Sequence, residues 1–337
     1  LEERSLEKPL VTVVMPVYNG ARYLNEAIDS ILIQTYESFE LIIVNDGSSD
    51  DSEAIILRYE DSRINYVRNE QNVGLIRSLN KGIDLAKGKY IARMDQDDIS
   101  VSSRFERQVA FLESHSDVAI CGMQGQILQT GEQYKVPTQD GEIRGLLFFG
   151  SPFIHPVVMI RTETLVNNDL RYDFKYNHAE DFGLWVNLSF VGKLSNLNEV
   201  GIHYRQHELQ YTKVFKEDNF DASFSAKLEY LERLGMQLGE FQLALYERIN
   251  RKAIDPCDKK GLSVLAGFYK QFRKLNFPNN VEVEYLEKLI YKKWKVTCAD
   301  GIKQRVNTYF LFLSNGLVYK YFEPKVHLWF LKKLMIK

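Results

Sequence analysis

Four short apolar runs, each closed by polar residues and separated by helix-patterned stretches, constrain this chain more than any other feature. Residues 10–15 (LVTVVM) stop at Pro16-Val17-Tyr18-Asn19, and residues 39–44 stop at Asn45-Asp46-Gly47-Ser48-Ser49-Asp50. Residues 64–67 form a third run, and residues 90–94 lead straight into Asp95-Gln96-Asp97-Asp98. Continuous apolar runs of this length read as strands buried on both faces. Between them, Asn19-Gly20 opens an amphipathic helix with Leu24, Ala27, Ile28, Ile31 and Leu32 on one face, residues 51–59 begin on Ser/Asp caps, and residues 75–86 end at Gly88. This alternation predicts an α/β fold with a mainly parallel, helix-flanked sheet. Such sheets bind ligands beyond the carboxyl ends of their strands. The polar groups after the first, second and fourth runs are therefore expected to converge on one rim.

The acids at that rim carry the chemistry. Carboxylates as dense as Asp95, Asp97 and Asp98 repel one another unless a cation sits among them. Oxygen-only donors favour hard divalent ions such as Mg2+ or Mn2+, which also take phosphate oxygens of a ligand. The cluster thus points toward a nucleotide or a nucleotide-sugar. The competing reading is a helix N-cap, because a helical stretch begins near Ser102.

The motifs MPVYN, NDGSSD, Asn72-Val73-Gly74 and ARMDQDD resemble, in order and spacing, the signature of family 2 glycosyltransferases with the GT-A fold. Ser151-Pro152-Phe153-Ile154-His155-Pro156, Glu180-Asp181-Phe182-Gly183-Leu184-Trp185 and Tyr204-Arg205-Gln206-His207 extend the likeness over about the first 210 residues. The resemblance implies a nucleotide-sugar donor, most often UDP-linked, and a saccharide or lipid-linked acceptor in cell-surface polysaccharide assembly. Pro16, Tyr18 and Asn19 would line the nucleoside end, and Asp46 would accept from the base. Arg77 would reach the diphosphate unless it is simply an exposed helix arginine. Asp95 would contact the ribose, or the metal through water. Asp97 would ligate Mn2+ or Mg2+ directly, with His207 completing the shell, while Arg93 serves as an internal counter-charge. Asp181 resembles the family's catalytic base, and Glu180 and Trp185 fall on the acceptor side. Two acids at a helix start also suit the helix dipole, Trp185 also suits a core, and His155 is either structural or an acceptor contact. Tyr204-Arg205-Gln206-His207 stands where processive, membrane-embedded members carry Gln-x-x-Arg-Trp, which implies transfer of a single sugar. Inversion at the anomeric centre is expected, because no second nucleophile is evident.

Composition narrows the class. A net charge of −2 over 337 residues gives no reason to expect nucleic-acid binding. Cys121, Cys257 and Cys298 lack paired spacing, which fits reduced thiols in the cytoplasm. A dinucleotide oxidoreductase would need G-x-G-x-x-G after a strand, and the chain has none. Sugar-phosphate nucleotidyltransferases carry a glycine-rich basic loop where this chain has Pro16-Val17-Tyr18-Asn19; a non-catalytic nucleotide-sugar-binding module remains a third reading. The chain opens on Leu1 rather than Met, so sequence ahead of it is expected. Two domains are expected, residues 1–214 for catalysis and a helical region over 215–337, with helices near 221–234, 241–250, 261–272 and 281–294. From Leu286 onward eleven Lys/Arg face three acids, interleaved with aromatics. That segment reads either as a helical subdomain with solvated lysines or as a peripheral seat on an anionic membrane surface.

Overall fold

Strand β1 (Val11–Val17) is buried along its whole length, as its unbroken apolar run requires. In the computed structural model, which describes residues 10–208, 215–251, 280–292, 323 and 326, β1 pairs in parallel with β2 (Phe39–Asn45) on one side and β4 (Tyr90–Arg93) on the other. Strand β3 (Ile64–Arg68) continues the parallel sheet beyond β2. Each Val, Ile or Leu sealed in this layer contributes roughly 1.5–3 kcal/mol through the hydrophobic effect. Pro16 lies inside β1 rather than ending it. The Val14 carbonyl accepts from the Met94 amide at 3.1 Å, and Pro16, two residues on, faces the same side. Pairing with β4 has already ended there, so the missing N–H costs no ladder bond.

Helices α1 (Leu24–Leu32), α2 (Ser52–Ile56), α3 (Leu75–Leu85) and α4 (Arg104–Ser114) cover the sheet. Five further strands supply the rest: β5 (Ile99–Ser100), β6 (Val118–Ile127), β7 (Gln133–Tyr134), β8 (Met159–Arg161) and β9 (Lys193–Tyr204), of which only the strand-like stretch 201–204 at the end of β9 is legible in the sequence. Among the described residues, nine strands form one mixed sheet in the order β3-β2-β1-β4-β8-β6-β9-β5, with β7 on β6. Strand β8 runs antiparallel to β4 and β6, and β5 antiparallel to β9. Three residues are too few to show a period in β8, and β9 alternates irregularly between buried and exposed positions, so only its end over 201–204 reads as a strand. Short helices α5 (Asp140–Leu146), α6 (Thr162–Asn167) and α7 (Glu180–Leu188) fall among these strands.

The chain divides into two compact units, Leu1–Ile143 with Ser151–Ala226 and Arg144–Gly150 with Lys227–Lys337. The sheet lies in the first. Helices α8 (Lys216–Arg233) and α9 (Glu240–Arg251) correspond to two of the expected C-terminal helices, and residues 283–292 are also helical. In the second unit the buried hydroxyls of Tyr230 and Tyr246 donate to the carbonyls of Arg144 and Phe148. The helix expected over 261–272 lies outside the described residues, as do Cys257, Cys298 and most of the basic, aromatic segment after Leu286. Among the described residues, no helix is long and apolar enough to cross a membrane.

One buried side chain anchors the end of β4. The guanidinium of Arg104 is fully enclosed and donates to the carbonyls of Arg93 at 2.8 Å, Pro156 at 3.0 Å and Val158 at 3.1 Å, and to Gln108 Oε1 at 3.0 Å. Gln108, one turn further along α4, donates to the carbonyls of Cys121 and Val157. The two residues thus join β4, β6 and the turn before β8. Replacing Arg104 with Met should cost about 3 kcal/mol or more, since each buried acceptor left unpaired costs roughly 1–3 kcal/mol. Urea denaturation measures this, and a loss below about 1 kcal/mol would show that the tie is not made.

Candidate active site

The carboxyl ends of β1, β2 and β4 open onto one rim, and β4 delivers the acids. Carboxylate oxygens of Asp95, Asp97 and Asp98 lie within 4.8 Å of one another. Asp97 Oδ2 is 2.7 Å from His207 Nε2. Burial and the Asp95 charge raise the pKa of Asp97, with His207 partly offsetting them. Asp98 is buried. Its Oδ1 accepts from the Arg205 amide at 2.9 Å, and its Oδ2 has no hydrogen-bond partner. Burial, then Asp95 and Asp97, raise its pKa well above the carboxylate range. Neither Asp97 nor Asp98 caps α4, which begins after β5 with Ser103 at its N-cap. An oxygen-rich cluster short of positive charge, with an unpartnered buried oxygen, fits a hard divalent cation.

Arg93, at the last position of β4, is 5% exposed and forms an ion pair with Asp95. Burial works to lower its pKa, but Asp95, with Tyr172 and Asp98 adding to it, raises it and keeps the guanidinium charged. Its Nε is buried without a hydrogen-bond partner.

The loops after β1 and β2 are sewn together. Asn19 donates its amide to Ser48 Oγ at 3.0 Å and accepts from the Ser49 amide at 2.9 Å. The amides of Gly20 and Ala21 donate to Ser52 Oγ and Asp50 Oδ2. Asp46 is 2% exposed and accepts from Asn69 Nδ2 at 2.8 Å and from the amides of Val73 at 2.9 Å and Gly74 at 2.8 Å. Gly47 has φ +67°, and a Cβ there would lie 2.6 Å from the Gln71 carbonyl carbon, so this crossing of the two loops requires glycine. The Tyr18 ring, by contrast, is 47% exposed.

A second pair of acids opens α7. Glu180 is 4% exposed with Oε2 unpartnered; burial, then the Asp181 charge, push its pKa up to about 7. Asp181 is half-buried and accepts from the Phe182 amide at 2.7 Å. Burial raises its pKa, while that hydrogen bond and Arg93 pull it back. Burial thus disfavours the charge on both neighbours, and each carboxyl is held above its ordinary range. His155 shares a 2.8 Å hydrogen bond with the Tyr172 hydroxyl, and burial and Arg93 hold its pKa well below its ordinary value.

The structure therefore brings Tyr18, Asn19, Asp46, Asp95, Asp97, His207, Glu180 and Asp181 to one end of the sheet. Pro16 is buried within β1. Trp185 is fully enclosed, its ring 5.2 Å from Phe153 and 5.8 Å from His155. Arg77 is exposed on α3 with its guanidinium 5.2 Å from the Phe174 ring centroid. Sequence reasoning passed over Gln96, Glu26, Tyr23 and Tyr172. Arg205 pairs with Glu26 at 2.7 Å, donates to the Asp97 carbonyl and lies 4.4 Å from the Tyr23 ring centroid. No periodic signal marks partners this distant in the chain.

Residues 12–170 match the family described as Glycosyl transferase family 2. An uncharacterized glycosyltransferase of Haemophilus influenzae is 32% identical over 248 residues, 68% of this chain and 77% of that protein. The uncharacterized glycosyltransferase MJ1057 of Methanocaldococcus jannaschii is 36% identical over 194 residues, 54% of this chain and 65% of its own length. Among solved structures, Staphylococcus aureus TarS 1–349 in complex with UDP-GlcNAc superposes with a TM-score of 0.58 at 18% identity, covering 89% of this chain and 91% of that one. The mannosyltransferase PcManGT of Pyrobaculum calidifontis in complex with GDP-Man and Mn2+ gives 0.53 at 15% identity, over 97% and 85%. These likenesses carry the GT-A fold, and together with the sequence matches they establish that the chain belongs to the family 2 glycosyltransferases.

Proposed function

We propose that this enzyme transfers a single sugar, with inversion and with a divalent cation, from a UDP-linked nucleotide-sugar to a hydroxyl of a saccharide or lipid-linked saccharide in polysaccharide biosynthesis. One observation carries the reading: an oxygen-only acidic triad and a separate carboxylate pair share the field of one buried guanidinium, Arg93. TarS was solved with UDP-GlcNAc and PcManGT with GDP-Man and Mn2+, which supports a nucleotide-sugar donor and a cation by analogy.

In this reading the exposed Tyr18 ring takes the nucleoside, with Pro16 and Asn19 shaping the loop beneath it. Asp46 serves the donor by holding the 73–74 backbone. Asp95, Asp97 and His207 hold Mn2+ or Mg2+, which would neutralise negative charge on the departing diphosphate. The 2.7 Å between Asp97 Oδ2 and His207 Nε2 is close to the separation of about 3 Å expected for two neighbouring ligands of one small cation. Asp181 accepts the acceptor hydroxyl's proton as that oxygen bonds to the anomeric carbon. The bond to the diphosphate breaks with its electron pair, so one in-line displacement inverts the centre. Glu180, whose pKa of about 7 leaves a large protonated fraction at neutral pH, donates in that form to the acceptor and orients it, with Trp185 packed behind. The basic segment after Leu286, largely outside the described residues, would seat the enzyme on the cytoplasmic face of a membrane.

Asp97→Ala should abolish transfer and Mn2+-supported UDP binding, and excess EDTA should do the same to the parent; full activity in EDTA would remove the cation from the mechanism. His207→Ala should impair Mn2+-supported turnover more than Mg2+-supported turnover, because imidazole suits transition metals better. Asp181→Asn should lower turnover by a factor of roughly 10²–10⁴ with donor binding intact. NMR of the product should show a β-linkage from an α-linked donor, and retention would overturn the single displacement.

Glu180 also makes a stability prediction. Its folded pKa is raised from 4.5 to about 7. Its contribution to stability is therefore complete below the unfolded value and is lost as pH rises through the folded one. Glu180→Gln should raise Tm over the parent at about pH 8.5, and the gain should vanish by about pH 4. A pH-independent difference would show that Glu180 does not hold the proton.

A further inference from the structure

Backbone pairing between β1 and β4 ends at Val14 and Arg93, yet the two chains stay joined beyond it. The link is the side chain of Gln96. Its Oε1 accepts from the Tyr18 amide at 2.8 Å, and its Nε2 donates to the Tyr18 carbonyl at 3.1 Å. The amide group thus makes the two bonds that a neighbouring strand residue would have made. It packs on the bare Cα of Gly20, where a Cβ would lie 2.3 Å from Gln96 Oε1. On its other side the Tyr18–Ala21 loop is held by Ser48, Ser49, Asp50 and Ser52, so Gln96 is the bridge from that assembly to the acids.

Gln96 lies between Asp95 and Asp97 in the chain, and Tyr18 presents an exposed ring. We infer that Gln96 is a positioning residue that sets the distance between the nucleoside-binding ring and the cation-binding acids. The inference rests on the nucleotide-sugar reading above. A nucleoside diphosphate joins its base and its phosphates by covalent bonds of fixed reach. Its two ends behave as linked ligands whose combined affinity is lost when the sites are misspaced. The bridge therefore governs how much affinity the nucleoside adds to the diphosphate, while contributing little to the diphosphate itself.

The test compares UDP with inorganic pyrophosphate by calorimetry, both with Mn2+, on the full chain and on Gln96→Met, which keeps the side-chain length and removes both hydrogen bonds. The preference for UDP over pyrophosphate should fall about tenfold, the order expected for two lost hydrogen bonds. Pyrophosphate affinity should stay within about twofold of the parent. Gly20→Ala, which leaves Gln96 and the acids chemically intact but displaces the amide, should give the same signature and serves if the Met variant folds poorly. An unchanged preference overturns the inference, and so does an equal weakening of both ligands, which a merely structural role would produce. A parent that binds pyrophosphate and UDP equally, or neither, overturns the nucleotide reading itself and with it this inference.

Discussion

Five carboxyl groups, from Asp95, Asp97, Asp98, Glu180 and Asp181, feel the charge of one buried arginine, and the arrangement of the site depends on that economy of charge. A pair of opposite charges about 4 Å apart at an effective dielectric near 20 interacts by about 4 kcal/mol. Arg93 can supply such a term to Asp95, its direct partner, but only a fraction of it to the others. Its position is not adjustable, because it is the last residue of β4 and its amide is bonded to the Val158 carbonyl at 3.0 Å. The uncompensated acids are left with raised pKa values and unpartnered oxygens. That deficit leaves the cluster of Asp95, Asp97 and Asp98 suited to a divalent cation.

The rim is held by a different kind of bonding from the sheet beneath it. Within the sheet, parallel ladders fix the strands and burial fixes the helices. Above it, side chains take over the role of the ladder: Asn19 to Ser49, Gln96 to Tyr18, Asp46 to Val73 and Gly74, Asp98 to Arg205. Each such bond joins loops far apart in sequence, and each net bond is worth only about 1 kcal/mol. Many weak, specific links allow a ligand to be gripped from several loops at once. Arg104 and Gln108 anchor the arrangement from below by bonding carbonyls of β4, β6 and the 155–158 turn.

Glu180 and Asp181 show how adjacent positions of one helix acquire different chemistry. The first is sealed against solvent and lacks a partner for Oε2, whereas the second is half-exposed and holds a backbone amide at 2.7 Å. Desolvation disfavours the charge of both, while backbone hydrogen bonds and Arg93 partly offset it at each. In the proposed mechanism, these unequal surroundings would let Glu180 hold a proton while Asp181 accepts one.

Much of this was legible in the chain alone. The apolar runs announced β1, β2 and β4, because a strand buried on both faces has to be largely apolar, β3 was read although it is only half-buried, and the polar residues after β1, β2 and β4 announced the rim. The density of acids at 95–98 announced the demand for positive charge, since like charges repel whatever the fold. Strands β5, β7 and β8 were silent, being too short to leave a period, and β6, though long and buried, has its apolar pattern broken by Gly122, Gln124, Gly125 and Gln126. The sequence was equally silent on which polar groups are spent on structure. Asn19 and Asp46 looked like free ligand contacts, yet their oxygens are taken by backbone amides 27 to 30 residues away. Gln96 looked like a spacer between acids, and its partner lies 78 residues away. Residue type and local pattern determined which chemistry the chain could offer. Only the tertiary structure decided which of those groups already had partners, because a hydrogen bond is satisfied by proximity in space, and proximity across loops leaves no trace in local sequence.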